Sequence, residues 1–278
     1  MTERAREGTN DVEAAAEQIG RLGSAVLRRV FDATVVQSLR GMTADLFAAW
    51  EARRDQGALE AMEAQHLAGG TIVFRSLLGT RPGQVFIMAA LQEFVHSQAF
   101  DVYRRLFGDD IAFLLDVCQM RRQDAADTGP HVPYHQDLSF VGTGFRILNS
   151  WITLDICGPA TAAPGLEFAA ARVIEDLRPS PATPPVTADR YFDRIEIDPS
   201  ALRQRLPESV WQRPDLDAGD AILFDQFTVH RTLAGPDQGA RRTSLEFRAC
   251  QAAALPADHA LASRLLARCD GTAVAFSL

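Results

Sequence analysis

The residue pattern changes character near Ile111, and this change limits the folds that the chain can adopt. Before this point, apolar residues recur at helical spacing. After it, short apolar runs are separated by turns rich in glycine, proline and aspartate, which indicates β-strands. Helices followed by strands, without an internal repeat or a low-complexity block, are typical of an α+β fold.

The helical part begins at Asp11. Helical spacing predicts a helix from Asp11 to Leu22, a short strand from Ser24 to Leu27, and a second helix that Asp32 can cap. A third helix is predicted from Gln84 to Gln98, after the break at Pro82-Gly83. The second helix has one apolar stripe, formed by Val35, Val36, Leu39, Met42, Leu46 and Trp50. We expect these helices to pack against the rest of the fold.

Four runs in the second half have the composition of buried strands. They are Ile111 to Met120, Arg146 to Ile156, Ala221 to His230 and Arg242 to Cys250. Non-repeating strands at such intervals fit a barrel or a sandwich. The proline-rich stretch Arg178 to Asp189 interrupts them and is too rich in proline for a helix or a central strand. It is either a lid over a site or a surface insertion.

The length and composition favour one elaborate domain over residues 1–278, because 47% of the residues are apolar and 23% are charged. Within it we expect a flexible tail over residues 1–10 and mainly helical support over 11–110. Residues 111–255 should form the core, and a C-terminal helix and tail should occupy 256–278.

The charge balance indicates what the protein binds. Its 36 acidic and 28 basic residues give a net charge of -8, which argues against nucleic acid or anionic membrane as a general partner. Small molecules are the expected partners, with the protein a monomer or a loose homodimer. Neither a signal peptide nor a membrane-spanning run is evident, so we expect a cytoplasmic location. The four cysteines form no C-x-x-C pair and are expected to be reduced and mostly buried.

The motif Tyr134-His135-Gln136-Asp137 introduces candidate metal ligands. In an extended strand, His135 and Asp137 point to the same side and Gln136 points away. Alone this is weak evidence, because a turn histidine beside an exposed aspartate is an equally good interpretation. A metal site becomes the better interpretation because the turn Gly219-Asp220 leads into an apolar run that ends at His230, which can supply a third ligand.

Two imidazoles and one carboxylate on one side of an octahedral ion leave three positions open, as in non-haem Fe(II) oxygenases. Those positions suit a bidentate 2-oxo acid and dioxygen. The far carboxylate of 2-oxoglutarate also needs a cation, for which arginine has the matching geometry. Arg241 and Arg242 follow His230 after a turn, and we expect a hairpin to return them beside it. Neighbouring strand residues face opposite ways, so at most one faces inward.

These motifs, in this order, resemble the phytanoyl-CoA dioxygenase-like family of Fe(II)/2-oxoglutarate oxygenases. The resemblance covers most of the chain and rests on four segments. They are Gly23 to Leu46, Val132 to Asp137, Asn149 to Gly165 and Leu216 to Thr232. It implies a double-stranded β-helix, a jelly-roll of the cupin-like kind, with N-terminal helices packed against it. The segment after Pro164-Gly165 departs from the family pattern, so no substrate contact is carried over from it.

The resemblance also implies roles for single residues. Iron is held by His135, Asp137 and His230, and the family spacing of about eleven residues after the distal histidine selects Arg241 for the 2-oxoglutarate carboxylate. Three further residues match co-substrate positions, namely Thr232, Trp151 and Gln119. The implied reaction hydroxylates, desaturates or cyclises a small organic substrate and releases succinate and CO2. Halogenation is not expected, because halogenating relatives lack the carboxylate that Asp137 provides.

Two alternatives remain open at this point. One is a cupin-like metal enzyme that does not use 2-oxoglutarate, and the other is a non-catalytic metal-binding relative. The remaining histidines have no matching partner in the sequence and are expected to be structural or surface residues. They are His66, His96, His131 and His259.

Overall fold

The computed structural model describes residues 9–123, 131–178, 195–256, 259, 261, 264–269 and 274–277. Helices fill the first part of the chain and strands the second, as predicted. The helices before Ile111 are α1 (Val12–Leu22), α2 (Ala33–Asp55), α3 (Ala61–Ala68), α4 (Phe74–Leu77), α5 (Arg81–Val95) and α6 (Gln98–Phe107). Two further helices, α7 (Leu138–Val141) and α8 (Pro199–Arg205), lie among the strands. Among the described residues, no helix combines the length and the apolar character needed to cross a membrane.

The first helices begin where their capping residues are. Asp11 accepts hydrogen bonds from the backbone N–H groups of Glu13 and Ala14, and Asp32 caps α2 in the same way. Helix α1 then ends at Gly23, which has a left-handed backbone conformation (φ 84°). The predicted break at Pro82-Gly83 is wrong, because both residues lie in the first turn of α5, where proline is tolerated.

The strands form two sheets. They are β1 (Ser24–Leu27), β2 (Thr71–Val73), β3 (Asp110–Leu114), β4 (Gln119–Gln123), β5 (Ile147–Thr153), β6 (Gly165–Ala169), β7 (Trp211–Gln212), β8 (Ala221–Asp225), β9 (His230–Leu233), β10 (Arg242–Gln251), β11 (Arg264–Cys269) and β12 (Val274–Ser277). The large sheet has the order β1-β8-β5-β10-β3-β11-β12, and β4 also pairs with β10 and carries β2. The small sheet has the order β7-β6-β9. All pairs within these sheets are antiparallel.

Strand β10 separates two environments. Leu245, Phe247 and Ala249 belong to the main hydrophobic core, where the ring of Phe247 stacks on Phe94 of α5 at a centroid distance of 4.6 Å. The alternate residues of β10 are polar and point to the other face of the sheet. On that face Trp151 of β5 packs in a second apolar cluster with residues of the small sheet. The space between the two sheets is therefore bounded by polar residues on β10 and on its neighbours β4 and β5, together with the ring of Trp151.

Two predicted strands are each divided in the structure. The run Ala221 to His230 is not one strand, because residues 226–229 turn the chain from β8 in the large sheet to β9 in the small one. Gln226 fixes this turn, since its side chain donates to the carbonyl of Phe145 and accepts from the N–H of Ile147. The run Ile111 to Met120 is likewise divided into β3 and β4 by a turn.

The predicted C-terminal helix is wrong. Strands β11 and β12 extend the large sheet beyond β3 instead. Leu265 and Ala267 enter the main core while Arg268 is exposed, which is the two-residue period of a strand. Of the predicted tail, residues 1–8 lie outside the described residues, whereas Thr9 pairs with Leu27. The proline-rich stretch after Arg178 also lies outside them.

The described cysteines agree with the expected reduced state. Cys118, Cys157 and Cys250 are buried and none of them is in a disulfide. Burial raises the pKa of Cys118 and of Cys250 to about 12, so both stay neutral thiols at physiological pH. These cysteines behave as small apolar residues of the core.

Gly219 should not tolerate a side chain. Its φ of 93° is unfavourable for other residues, and a Cβ would lie 2.2 Å from the carbonyl oxygen of Phe31. We expect Gly219→Ala to destabilise the protein by about 1–3 kcal/mol or more. Gly41→Ala is the control, since Gly41 is helical with open space around it, and should stabilise by roughly 0.4–1 kcal/mol. Urea unfolding monitored by circular dichroism measures both, and equal midpoints would contradict the expectation.

Candidate metal centre

Two histidines are brought together by pairing between the segment before Asp137 and strand β9. The N–H of His135 donates to the carbonyl of His230 at 3.0 Å, and the N–H of His230 donates back to the carbonyl of His135 at 3.0 Å. Their imidazole rings consequently lie side by side, with centroids 4.1 Å apart. The two histidines that the sequence predicts for one site are therefore adjacent in the structure.

Asp137 completes the cluster from a different backbone conformation than expected. It lies in the helical region (φ -61°, ψ -25°) at the start of α7 and is not part of a strand. One carboxylate oxygen, Oδ1, is nevertheless 3.7 Å from Nε2 of His135 and 3.7 Å from Nε2 of His230. Gln136 points away, as predicted, and bonds the carbonyls of Glu175 and Phe227.

The two imidazoles are oriented by carbonyl groups. Nδ1 of His135 is 2.9 Å from the carbonyl oxygen of Pro133, and Nδ1 of His230 is 3.0 Å from that of Thr228. A carbonyl can only accept, so each Nδ1 carries the proton and each Nε2 offers its lone pair. Within the described part of the chain, these three residues are the only group of potential ligands close enough to hold one ion, with ligand atoms within 4.8 Å of one another.

Burial sets the protonation states that a metal site needs. It lowers the pKa of His135 to about 3 and also lowers that of His230, so both rings are neutral at physiological pH. Burial alone would raise the pKa of Asp137, but the charge and the hydrogen bond of the Arg248 guanidinium oppose it, and this pKa lies below its usual value. The cluster therefore offers two neutral nitrogens and one anionic oxygen, which are the forms that bind divalent metals.

Two neighbours of Asp137 were missed by the sequence analysis. Arg248 donates to Oδ2 of Asp137 through Nε at 2.6 Å, and Asn149 donates to the same oxygen at 3.3 Å. A signal for Arg248 exists in the sequence, because Arg242, Ser244, Glu246 and Arg248 occupy every second position of one strand, with Leu245 and Phe247 between the last three. That alternation places all four polar residues on one face.

The orientation predicted for the arginine pair is wrong. Arg241 is exposed, whereas the side chain of Arg242 is fully buried and points between the sheets. The prediction counted residues across a hairpin, but β9 and β10 belong to different sheets and do not pair. The family spacing of about eleven residues after His230, which selected Arg241, therefore does not decide which arginine faces inward. The pairing of β10 with β4 and β5 decides which arginine faces inward.

Arg242 is held without a carboxylate partner among the described residues. Its guanidinium carbon lies 4.9 Å from the ring centroid of Trp151, and Nη1 is 3.3 Å from the carbonyl oxygen of Gly165. Its Nε is buried and has no hydrogen-bond partner in the described structure. Burial lowers the pKa of Arg242. A buried guanidinium with an unsatisfied donor fits an anionic ligand that supplies the missing acceptor.

The other predicted co-substrate residues lie on the strands around this space. Trp151 and Thr232 are buried, on β5 and β9 respectively, and Gln119 is half-buried on β4. Trp151 and Gln119 are the two cross-strand neighbours of Glu246, so they share its polar face. The structure thus brings Trp151 next to Arg242 and places Gln119 on the adjacent strand.

Solved structures of similar fold come from several enzymes. The non-heme monooxygenase ThoJ, in its apo form, has a TM-score of 0.58 and 14% identity over 87% of this chain and 77% of its own. AviO1 from Streptomyces viridochromogenes Tue57 has a TM-score of 0.56 and 16% identity over 90% and 99%. The epimerase SnoN, in complex with Fe3+, alpha ketoglutarate and nogalamycin RO, has a TM-score of 0.51 and 20% identity over 87% and 84%. At these identities the likeness concerns the fold.

No curated protein sequence matches this chain significantly. A protein-family model does, and it spans residues 20–243, which contain all three candidate ligands as well as Arg242. The family is described as phytanoyl-CoA dioxygenase (PhyH). The resemblance noted from the motifs is thereby confirmed over most of the chain. This protein belongs to the phytanoyl-CoA dioxygenase (PhyH) family.

Proposed function

We propose that the protein is an Fe(II)- and 2-oxoglutarate-dependent oxygenase that hydroxylates, desaturates or cyclises a small organic substrate, with release of succinate and CO2. The observation that carries this proposal is the combination of a buried His-His-Asp cluster with a buried arginine between the same two sheets. A cupin-like enzyme that uses a metal alone has no need of that arginine. Family membership supports the same assignment.

The strand connections support a double-stranded β-helix as the architecture of the core. In chain order, β4 lies in the large sheet and the segment around His135 pairs with the small sheet through β9. Strand β5 returns to the large sheet, β6 and β7 to the small one, and β8, β9 and β10 then alternate between them. Eight extended segments that wind between two facing sheets in this way make a jelly-roll of the cupin-like kind.

The three ligands fit Fe(II) by the nature of their donor atoms. Two neutral imidazoles and one carboxylate make a facial set for non-haem iron, with positions left for a co-substrate. Each side chain is oriented by a second contact, either a carbonyl on Nδ1 or Arg248 on Oδ2. Such outer contacts fix the direction of each lone pair before an ion arrives.

Arg242 fits the far carboxylate of 2-oxoglutarate, the role that the sequence had given to Arg241. It combines full burial, a fixed position over Trp151 and an Nε without a partner in the described structure. Trp151 would form one wall of the co-substrate pocket. Thr232 and Gln119 complete the proposed pocket, as donors or acceptors on the neighbouring strands β9 and β4.

Iron and 2-oxoglutarate, when bound with dioxygen, supply the oxidising chemistry. The chain holds the ligands, neutralises the co-substrate through Arg242, and keeps water away with the apolar cluster around Trp151 and Phe224. Burial of the charged pair is useful here, because electrostatic contacts are stronger away from water. Which bond of the substrate reacts depends on how the substrate lies relative to the ion.

An anaerobic titration tests the proposed function. Addition of 2-oxoglutarate to the Fe(II) protein should produce a visible charge-transfer band, because the oxo acid chelates the iron through its 1-carboxylate and 2-oxo group. Succinate, which lacks the oxo group, is the control and should give no band. Absence of the band with bound Fe(II) would favour a cupin-like metal enzyme that does not use 2-oxoglutarate.

Each metal ligand should be essential for iron binding. His135→Ala, Asp137→Ala and His230→Ala each remove one of three protein donors, and we expect Fe(II) affinity to fall by more than about 100-fold, beyond the usual effect of outer contacts. His96→Ala is the matched control, because His96 is exposed at the end of α5. Calorimetric titration measures the affinity, and circular dichroism verifies folding. Near-normal iron binding in any of the three variants would refute that ligand.

The two neighbouring arginines should differ in their effect on 2-oxoglutarate. Loss of one partner of a buried charge pair costs about 2–5 kcal/mol, or roughly thirtyfold to several thousandfold in affinity. Arg242→Met should weaken 2-oxoglutarate binding by at least the lower factor and leave Fe(II) binding intact, which also verifies folding. Arg241→Met should change it by less than about 1 kcal/mol, since that side chain is exposed. If neither variant alters the titration of the charge-transfer band, the assignment of an oxo acid fails.

A further inference from the structure

Arg248 lies between the two sheets, and all three nitrogens of its guanidinium group form hydrogen bonds. Nε donates to Oδ2 of Asp137 at 2.6 Å, and Nη2 is 3.3 Å from Oδ1 of the same carboxylate. Nη1 donates to the carbonyl of Val117 at 2.6 Å, and Nη2 donates to Glu246 at 2.7 Å. Arg248 is 2% exposed, and the ring of Phe140 covers it with its centroid 5.3 Å from the guanidinium carbon. This side chain therefore has a single fixed position.

The two carboxylate oxygens of Asp137 have different partners. Oδ2 receives the short bond from Arg248 and a longer one from Asn149. Oδ1 faces the two Nε2 atoms at 3.7 Å each and has only the weaker 3.3 Å contact to Arg248. The carboxylate plane is thereby fixed, with one oxygen held by the protein and the other turned toward the imidazoles.

A carboxylate that is not held in this way has a second mode of binding a metal ion. It can rotate and present both oxygens to the ion, and a carboxylate that binds through two oxygens occupies one more coordination position. With two imidazoles already bound, a two-oxygen carboxylate leaves too few positions for a chelating oxo acid and dioxygen together. The orientation of Asp137 therefore affects co-substrate binding as well as metal binding.

We propose that Arg248 is a positioning residue that holds Asp137 as a one-oxygen ligand and so keeps the remaining metal positions open for the co-substrate. This inference rests on the proposed function, because it assumes that His135, Asp137 and His230 bind the ion. Glu246 and the carbonyl of Val117 fix Arg248 in turn, so that the guanidinium cannot follow Asp137 if the carboxylate rotates. Arg248 acts through Asp137 and does not itself touch the ion.

A purely structural role for Arg248 makes a different prediction. An arginine that only neutralises buried Asp137 and Glu246 would be replaceable by lysine, which carries the same charge. A lysine has a single nitrogen and cannot contact Asp137, Glu246 and Val117 in the fixed fork geometry of arginine. Arg248→Lys therefore keeps the positive charge at this position but removes the set of contacts that fixes the orientation of Asp137.

The experiment uses Co(II) as a spectroscopic probe in the full-length protein. We expect Arg248→Lys to weaken Co(II) binding by about 10- to 100-fold, the usual effect of removing an outer contact to a ligand. We also expect the d–d absorption bands to change in position and intensity, because they report the number and arrangement of ligands. In the Co(II) variant, 2-oxoglutarate binding should weaken by a similar factor, since Asp137 then competes for a position.

Arg121→Lys is the matched control. Arg121 is also a buried arginine, one strand away on β4, and it contacts Thr71 rather than Asp137. It faces the same side as Ser244 and Glu246. The same substitution there should leave the Co(II) affinity and the d–d spectrum unchanged. Equal changes in both variants would mean that any loss of a buried arginine disturbs the barrel, and would overturn the proposal.

The outcomes separate this proposal from the function on which it rests. If the wild-type protein binds Co(II) but shows no response to 2-oxoglutarate, the proposed function fails. If the wild-type protein responds and Arg248→Lys matches it in affinity and spectrum, the positioning role fails. Should Arg248→Lys not fold, a crystal structure of the wild-type protein with Co(II) decides. Asp137 should bind the ion through Oδ1 alone while Oδ2 stays with Arg248, and an Asp137 that binds through both oxygens would overturn the proposal.

Discussion

The burial of one carboxylate determines much of what surrounds it. Asp137 is 1% exposed, and removing a charge from water costs several kcal/mol even after the protein relaxes. Arg248 compensates for that cost by its charge and its hydrogen bonds, and Asn149 adds one more hydrogen bond. Apolar residues of the same volume would often serve stability as well or better. The buried charge therefore agrees with the proposed metal binding, and the polar residues Glu246 and Arg248 of β10 accompany it.

Strand β10 can carry that many polar residues because its other face supplies the stability. Phe247 lies between Phe74, Phe94 and Phe113, and this aromatic group joins the large sheet to α5. Helix packing on the outside of the sheet replaces the apolar interior that a small barrel would otherwise need. The N-terminal helices thus contribute to function indirectly, since they allow the inner face of β10 to be charged.

The sequence was sufficient for residues that belong to local motifs. The clustering of His135, Asp137 and His230 could be predicted because a short motif and a histidine at the end of an apolar run carry the signal. The inward orientation of Arg242 could not be derived from its distance to His230, because the chain changes sheets between them. The positions of Arg242, Ser244, Glu246 and Arg248 within β10 predict the orientation of Arg242 correctly. Residues two positions apart point to the same face only within one continuous strand.

The C-terminal strands show a second limit of the same kind. Residues 264–269 form a strand because the edge of β3 is available for pairing and the main core accepts Leu265 and Ala267. Neither condition is visible in the local sequence, where a short apolar run fits a helix as well as a strand. Tertiary pairing decided between them, as it did at the turn between β8 and β9.

The fold by itself does not determine the reaction. Structures named as a monooxygenase and as an epimerase share this fold with at most 20% identity. Different reactions on one fold are expected when the cofactor supplies the reactive species and the protein determines only which part of the substrate lies beside it. In this protein the three proposed ligands lie in the segment around His135, at the start of α7 and on β9, whereas Gln119 and Arg121 lie on β4. Because none of the proposed ligands lies on β4, residues on its inner face can differ between enzymes with different substrates without any change in the proposed metal centre.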